Sequence, residues 1–304
     1  MSAEYEIVKY GPDFKSQVIE LQTHLWSPDP AWNAAYLEWK YERNPYIDRP
    51  LIYLVLFGGE VVGMSGMYGA RWQVGHPLQT FLGLCVADSV TAPEHRNRGL
   101  FTKTIRAALD DLAHSGVTYV LNLSASKVTY LAYLTMGWRR AGHLQTMHRI
   151  NREGDSLRRA RRYASRLPFF ASAEKPFDLL DKKYGRHRHE TSTHISLEQA
   201  PRPQAMAELV ERIGSDGRIC HVRDQQYFSW RFQNPRSQYR FLFWEDARLE
   251  GYLVLCRLIQ ADRPAVSIVD WEATNAQVRA ELLEAVIRWG NFQWLLIWSA
   301  TLPD

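Results

Sequence analysis

Only three cysteines, Cys85, Cys220 and Cys256, occur in 304 residues. They are widely spaced and sit in or near apolar runs, so no disulfide framework is built from them, and each reads as a small buried hydrophobe. Long apolar runs are missing too: none approaches the roughly 20 residues that cross a bilayer. The N-terminal Met1-Ser2-Ala3-Glu4-Tyr5-Glu6 lacks the basic start and apolar stretch of a signal peptide. A cytoplasmic location is therefore expected. Charge of one sign is scarce as well, because a net +4 over the whole chain is no basic footprint for nucleic acid. His187, His189 and His194 lie near one another without an acidic or cysteine partner, so they do not complete a metal pattern.

What is present belongs to a globular protein: 46% hydrophobic and 23% charged residues, on a chain long enough for two domains with separate cores. Eleven tryptophans and fifteen tyrosines suggest aromatic-lined surfaces as well as aromatic cores.

The most informative stretch runs from Val90 to Thr104. An apolar strand-like run, Phe81 to Val90, precedes it, and Phe101, Ile105, Ala108, Leu109 and Leu112 then recur at helical spacing. Between strand and helix lies Pro93-Glu94-His95-Arg96-Asn97-Arg98-Gly99. A helix N-terminus carries unpaired N–H groups and partial positive charge, so a loop with Gly99 and two arginines feeding it suits an anion. Gly99 lets the backbone approach a phosphate with no Cβ in the way.

With Arg96-x-x-Gly99 placed after Val90 and Pro93, the stretch resembles the pyrophosphate loop of the GNAT superfamily of acyl-CoA-dependent N-acyltransferases. Phe101 departs from the small residue usual at that place. A second motif, Tyr133-x-x-x-Gly137-Trp138, follows an apolar strand from Val117 to Leu123 and resembles the family's closing helix. The resemblance implies an α/β fold of mixed α+β character, in which a mostly antiparallel mixed sheet is flanked by helices. It implies acetyl-CoA or another acyl-CoA as cosubstrate, without a metal. It assigns the grip on that cosubstrate to the backbone of Arg96, Asn97, Arg98, Gly99, Leu100 and Phe101 with the Thr102 hydroxyl, the oxyanion contact to the backbone at Val90, and the general acid to Tyr133. Tyr130, one turn away, could exchange roles with Tyr133.

Other elements fit this order. Tyr5 to Tyr10 alternates as a strand, Pro12 and Pro30 open two helices, and Leu51–Phe57 and Val61–Val74 flank Gly58-Gly59 as a hairpin. Ala141 to Ile150 is expected as the last strand of the first sheet. The chain after Ile195 repeats the first half in weaker form: Tyr36-x-x-Trp39-Lys40-Tyr41 before Asn44-Pro45 is echoed by Tyr227-x-x-Trp230-Arg231-Phe232 before Asn234-Pro235, and Cys85-Val86-Ala87-Asp88 by Ser267-Ile268-Val269-Asp270. Two GNAT-like units in tandem follow as an expectation: 1–150 with the loop, a basic helical connector over 151–193, and a degenerate unit over 194–304. Where the first unit has its loop, the second has only Trp271 to Arg279, with no glycine.

For a general base the candidate is Asp88, two residues before Val90 and on the same strand face. Its echo at Asp270, in a half without the loop, argues for a structural role. A water chain, or the C-terminal carboxylate of Asp304 as in some tandem relatives, stays open. The resemblance places the acceptor pocket near the second helix, where Trp39, Tyr41 and Tyr36 would bind substrate. The acceptor is expected to be a small-molecule amine or amino sugar, with no nucleic acid and no membrane span, and a homodimer is compatible with this. Two other readings are transfer from aminoacyl-tRNA by a FemABX-like enzyme, against which the intact loop counts, and a non-catalytic acyl-CoA-binding module.

Overall fold

The computed structural model describes residues 4–123, 127–142, 144–150, 194–258, 265–290, 292 and 294–299. The basic connector (Arg158 to Arg188), His187, His189 and Asp304 lie outside the described residues. Two six-stranded sheets are formed, and the chain divides into two compact units: residues 1–140 with 215–235, and 141–214 with 236–304. Among the described residues no helix is long and apolar enough to cross a membrane.

The first sheet has the order β1 (Tyr5–Lys9), β2 (Leu51–Phe57), β3 (Glu60–Val74), β4 (Gln79–Thr91) and β5 (Tyr119–Asn122). Neighbours are antiparallel except β4 and β5, which are parallel. Gly58 and Gly59 turn β2 into β3 at φ +62° and +88°, which residues with a Cβ rarely adopt. Helix α1 (Lys15–Leu21) buries Val18 and Leu21. Helix α2 (Pro30–Leu37) is capped by the Asp29 carboxylate, which accepts from Ala31 N–H at 2.9 Å, and a π-helical turn, Glu38–Glu42, extends it. Helix α3 (Leu100–Leu112) lays Ile105, Ala108 and Leu112 against Tyr53, Met67, Leu84 and Val86 of the sheet. Helix α4 (Lys127–Thr135) adds Tyr133 to that core.

A segment from the second half of the sequence completes this unit. Its short strand β8 (Cys220–His221) pairs with β3, and the His221 ring packs 3.9 Å from that of Trp72. Asp224 pairs with Arg71. Helix α6 (Gln225–Arg231) brings Trp230 onto Trp39, rings stacked at 5.2 Å. Each indole then donates its N–H to the other residue's carbonyl, both at 2.9 Å.

The second sheet has the order β6 (Gln145–Ile150), β12 (Trp294–Ser299), β11 (Ala265–Ala273), β10 (Arg248–Leu258), β9 (Ser237–Asp246) and β7 (Ile195–Glu198). Helix α5 (Pro203–Ile213) follows β7, and helix α7 (Ala276–Trp289) links β11 to β12, which are parallel. Val266, Leu282, Val286 and Trp289 belong to its core. The strand expected to end the first sheet is here β6, antiparallel to β12. Alternation within a strand fixes which face is buried but not which sheet edge it joins. The expected boundaries at 150 and 193 follow the chain, whereas the units exchange segments.

Because Trp230 is 8% exposed and closes the unit that contains α2, its removal should be felt across that unit. Trp230→Ala is expected to lower the unfolding free energy by about 3–5 kcal/mol in chemical denaturation, the usual cost of deleting a large buried side chain. A loss below about 1 kcal/mol, within the range of surface changes, would show that the reciprocal pair is incidental.

Candidate active site

The site begins where β4 outruns its neighbour. Among the described residues, β5 pairs with β4 only from Gly83–Tyr119 to Val86–Asn122. Beyond Val86, β4 continues to Thr91 with β3 on one side alone. Val90 lies opposite Met64, and Ala92 N–H donates to Val62 O at 2.8 Å. Antiparallel alternation therefore aims Val90 N–H at β3 and Thr91 N–H at the open side. Ser89, also extended, points its N–H the same way as Thr91. Val90, expected to make the oxyanion contact, lies in the cleft lining together with Ser89 and Thr91.

A bulge sets this arrangement. Met64 faces Val90 but Gly66 faces Ala87, so Asp88 and Ser89 together oppose Ser65. Asp88 takes φ +53°, a left-handed conformation whose cost of about 1–3 kcal/mol must be met by contacts around it. Ser65 and Ser89 share a hydroxyl hydrogen bond of 2.7 Å.

At the other end of the cleft the chain turns through Pro93–His95 into α3. Asn97 and Gly99 both have left-handed backbones, φ +61° and +70°. The first helical bond runs from Lys103 N–H to Gly99 O, leaving the N–H groups of Leu100, Phe101 and Thr102 without an intrahelical acceptor. No side chain caps this terminus, and a Cβ built on Gly99 meets nothing within 4 Å. The two arginines turn back on the loop: Arg96 Nε donates to Thr91 O at 3.0 Å and Arg98 to Glu94 O at 3.5 Å. They stiffen the turn and add positive charge, while the free donors are backbone. Leu100 anchors the terminus by packing with Val55 and Val62.

Together these elements enclose a cleft of about 380 Å³, lined by Val55, Met64, Ser65, Ser89, Val90 and Thr91 on the strands and by His95 to Phe101 with Thr104 on the loop and helix. Of the loop residues expected at the site, Thr102 alone is not in the lining. His95 Nδ1 shares a 2.8 Å hydrogen bond with the Tyr5 hydroxyl.

Tyr133 stands beside the Ser89 end. Its ring meets Phe101 edge-on at 5.4 Å and Trp138 at 4.5 Å, and it is 3% exposed. Burial pushes its hydroxyl up to about 12, with a hydrogen bond to Ser89 pulling the other way. Tyr130, by contrast, is 42% exposed. The inward tyrosine is Tyr133, and the Phe101 that departs from the family pattern supplies its packing surface.

Asp88, the candidate base, is buried and engaged by neighbouring side chains. Its carboxylate accepts from Lys40 Nζ at 3.0 Å through both oxygens and from the Tyr41 hydroxyl at 2.7 Å, at 2% side-chain exposure. Lys40 also donates to the Tyr36 hydroxyl at 2.9 Å and lies over the rings of Tyr36, Tyr41 and Tyr68. Burial alone would lower the Lys40 pKa, but Asp88 and Tyr36 outweigh it and hold the ammonium charged. Burial, reinforced by Asp88, raises the Tyr41 hydroxyl well above its ordinary value. Tyr36, Tyr41 and Trp39, expected to bind the acceptor, are absent from the cleft lining: two serve this buried network and the third stacks on Trp230.

The corresponding helix start in the second unit is closed. Asn275 caps α7 by accepting from Val278 N–H at 3.0 Å. Among the described residues no cluster of histidine, cysteine, aspartate and glutamate could hold a metal ion.

A family model for an acetyltransferase (GNAT) domain matches residues 8–141. No curated protein matches the sequence. Among solved structures the chain is similar to a conserved protein from Enterococcus faecalis V583, with a TM-score of 0.65 at 12% identity over 99% of this chain and 67% of that one. It is also similar to a GCN5-related N-acetyltransferase from Kribbella flavida (TM-score 0.61, 15% identity, 100% and 66% covered). A third is Eis1 from Mycobacterium abscessus (0.56, 15%, 99% and 67%). The chain thus spans about two thirds of the length of each, and identities this low speak for the fold alone. The match over residues 8–141 takes in the strands, loop and helix that line the cleft between β4 and α3, so this part of the chain is similar to GNAT acetyltransferase domains.

Proposed function

We propose that the protein transfers an acetyl or other short acyl group from acyl-CoA to a primary amine of a small molecule or amino sugar. The observation that carries this reading is one cleft that has the uncapped start of α3 with Gly99 at one end and Ser89 and Thr91 of the β4 edge, beside Tyr133, at the other. An amine attacking a thioester develops negative charge on oxygen and must expel sulfur. The α3 terminus fits a pyrophosphate, because an anion there meets N–H groups and the positive helix end. The open N–H groups of β4 are directed at the developing oxyanion. Tyr133, protonated throughout the neutral range, donates its proton to the departing sulfur.

The second unit is read as a degenerate tandem copy. Its strands β7, β9, β10, β11 and β12 repeat the order and directions of β1 to β5, including the one parallel pair. The Asn275 cap occupies one of the donors that a phosphate would need. Transfer from aminoacyl-tRNA receives no support from a cleft with an open pyrophosphate terminus, and a mere binding module would not require the inward Tyr133. The acceptor's chemistry is carried by the fold family and by a cleft whose nearby aromatic residues are committed elsewhere; a panel of amino sugars, polyamines, amino acids and aminoglycosides tests it directly.

Gly99→Asn tests the loop better than a β-branched residue, since asparagine tolerates the left-handed backbone while filling the space above the turn. It should raise the Kd for CoA by about tenfold or more in calorimetry, about 1.4 kcal/mol, without lowering thermal stability appreciably. Unchanged affinity in this folded variant would remove the loop from the grip.

Tyr133→Phe should lower kcat by about 10- to 1000-fold with little change in apparent acyl-CoA affinity. Because the folded-state pKa is raised above the ordinary 10 to about 12, the neutral donor persists as pH rises, and the deficit should stay constant across the neutral and mildly alkaline range. A deficit that vanishes within that range would point to another acid.

Calorimetric titration with CoA should give one site per chain, since one helix start is open and the other capped. Two equal sites would refute the silent copy.

A further inference from the structure

Asp88 has the burial and the strained backbone that a functional carboxylate often shows, yet its oxygens are turned away from the cleft. We propose that Asp88 is a positioning residue: clamped by Lys40 and Tyr41, it holds the β4 bulge at the setting that aims the Ser89 and Thr91 N–H groups at the thioester carbonyl. The proposal rests on the acyltransferase reading and adds to it the device that aligns the donors.

Four observations carry it. Asp88 is the bulged residue itself, with φ +53°, and Ser89 follows it directly. A left-handed residue in the middle of a strand relaxes unless something holds it, and here the hold is three hydrogen bonds from two side chains of the π-helical turn. The π-helical turn places consecutive residues, Lys40 and Tyr41, on the same carboxylate. Space has been left for this clamp: a Cβ on Gly66, which faces Ala87 next to the bulge, would stand 2.3 Å from the Tyr41 hydroxyl oxygen. The bulge of the second sheet lacks the left-handed backbone. There Val254 faces Asp270 and Leu255 faces Ile268, so the extra residue is Val269, and Asp270 keeps an ordinary backbone while accepting from Tyr252 at 3.0 Å. The strained, clamped form occurs beside the open helix start, and the unstrained form beside the capped one.

A role in aligning donors differs from a role in holding the fold by what it does to the bound carbonyl. A thioester carbonyl that receives N–H donors is polarised and absorbs at lower frequency than in water-free surroundings. The test is infrared difference spectroscopy of carbonyl-labelled acetyl-CoA on the full-length protein, alongside calorimetry with CoA that lacks the acetyl group. In the wild type the carbonyl band should shift down on binding. Asp88→Asn combined with Lys40→Met removes both charges together, so no lone buried charge remains. It should lose about half or more of the shift while CoA binds within about threefold of wild type, because the α3 grip shares no partner with the clamp. Tyr41→Phe deletes one of the three hydrogen bonds and should lose a smaller part of the shift. This milder variant decides the matter if the double variant does not fold.

A folded variant that binds CoA and keeps the whole wild-type shift would overturn the positioning role and leave the acyltransferase reading standing. Failure of the wild type to bind CoA would overturn that reading itself, and the two failures cannot be confused.

Discussion

Strand β4 has to satisfy its backbone on two sides, and past Val86 it finds a described strand on only one of them. Unpaired strand N–H groups are costly when buried and invite whatever acceptor reaches them. In this unit the opening stands next to α3, whose first N–H groups also lack acceptors. Two sets of backbone groups, one from the strand edge and one from the helix start, thus share a single cleft. An extended molecule with carbonyl groups near one end and a pyrophosphate near the other suits both sets. The chemistry follows from where the secondary structure stops, more than from any single side chain.

Holding such an opening in shape needs rigid surroundings. Leu100 fixes the helix start through Val55 and Val62, and Arg96 ties the loop to Thr91 O. Lys40 and Asp88 form the strongest local constraint, because two opposite charges at this burial stay only while geometry and hydrogen bonding compensate for lost water. The aromatic rings of Tyr36, Tyr41 and Tyr68 around the ammonium supply part of that compensation. A buried pair of this kind is weak evidence for added stability. Its value lies in excluding alternative settings of the strand, since any other register would strand a charge.

The legible parts of the sequence were those in which local order carries the meaning. The spacing of Val90, Arg96 and Gly99 placed the loop between a strand and a helix, and Tyr133 with Gly137-Trp138 placed the inward tyrosine, because each pattern is read within one or two turns. Partners far apart in the chain were not legible. Lys40 lies 48 positions from Asp88, and Trp39 lies 191 positions from Trp230. Nothing in the order of residues says that they meet. The setting of Ser89 and Thr91 was not legible for a third reason: which N–H of a strand faces outward depends on register and on the bulge, and one inserted residue reverses it. Strand β6 was recognised as a strand but given the wrong sheet, since its own sequence contains no record of the edge it joins.

The echoes between the two halves sort residues by role once the structure is in view. Trp39 and Trp230 repeat in sequence and meet in one reciprocal pair, so the repeated aromatic motif packs the first unit, and neither ring lies in the lining of the cleft beside Gly99. Asp88 and Asp270 also repeat, but Asp88 has a left-handed backbone and Asp270 does not. Gly99 and Asn275 stand at corresponding helix starts with opposite consequences: the glycine leaves donors open and the asparagine consumes one. A residue shared by both copies is therefore explained first by packing. Where the two halves diverge, in backbone conformation at Asp88 and Asp270 or in capping at Gly99 and Asn275, packing alone no longer accounts for the difference.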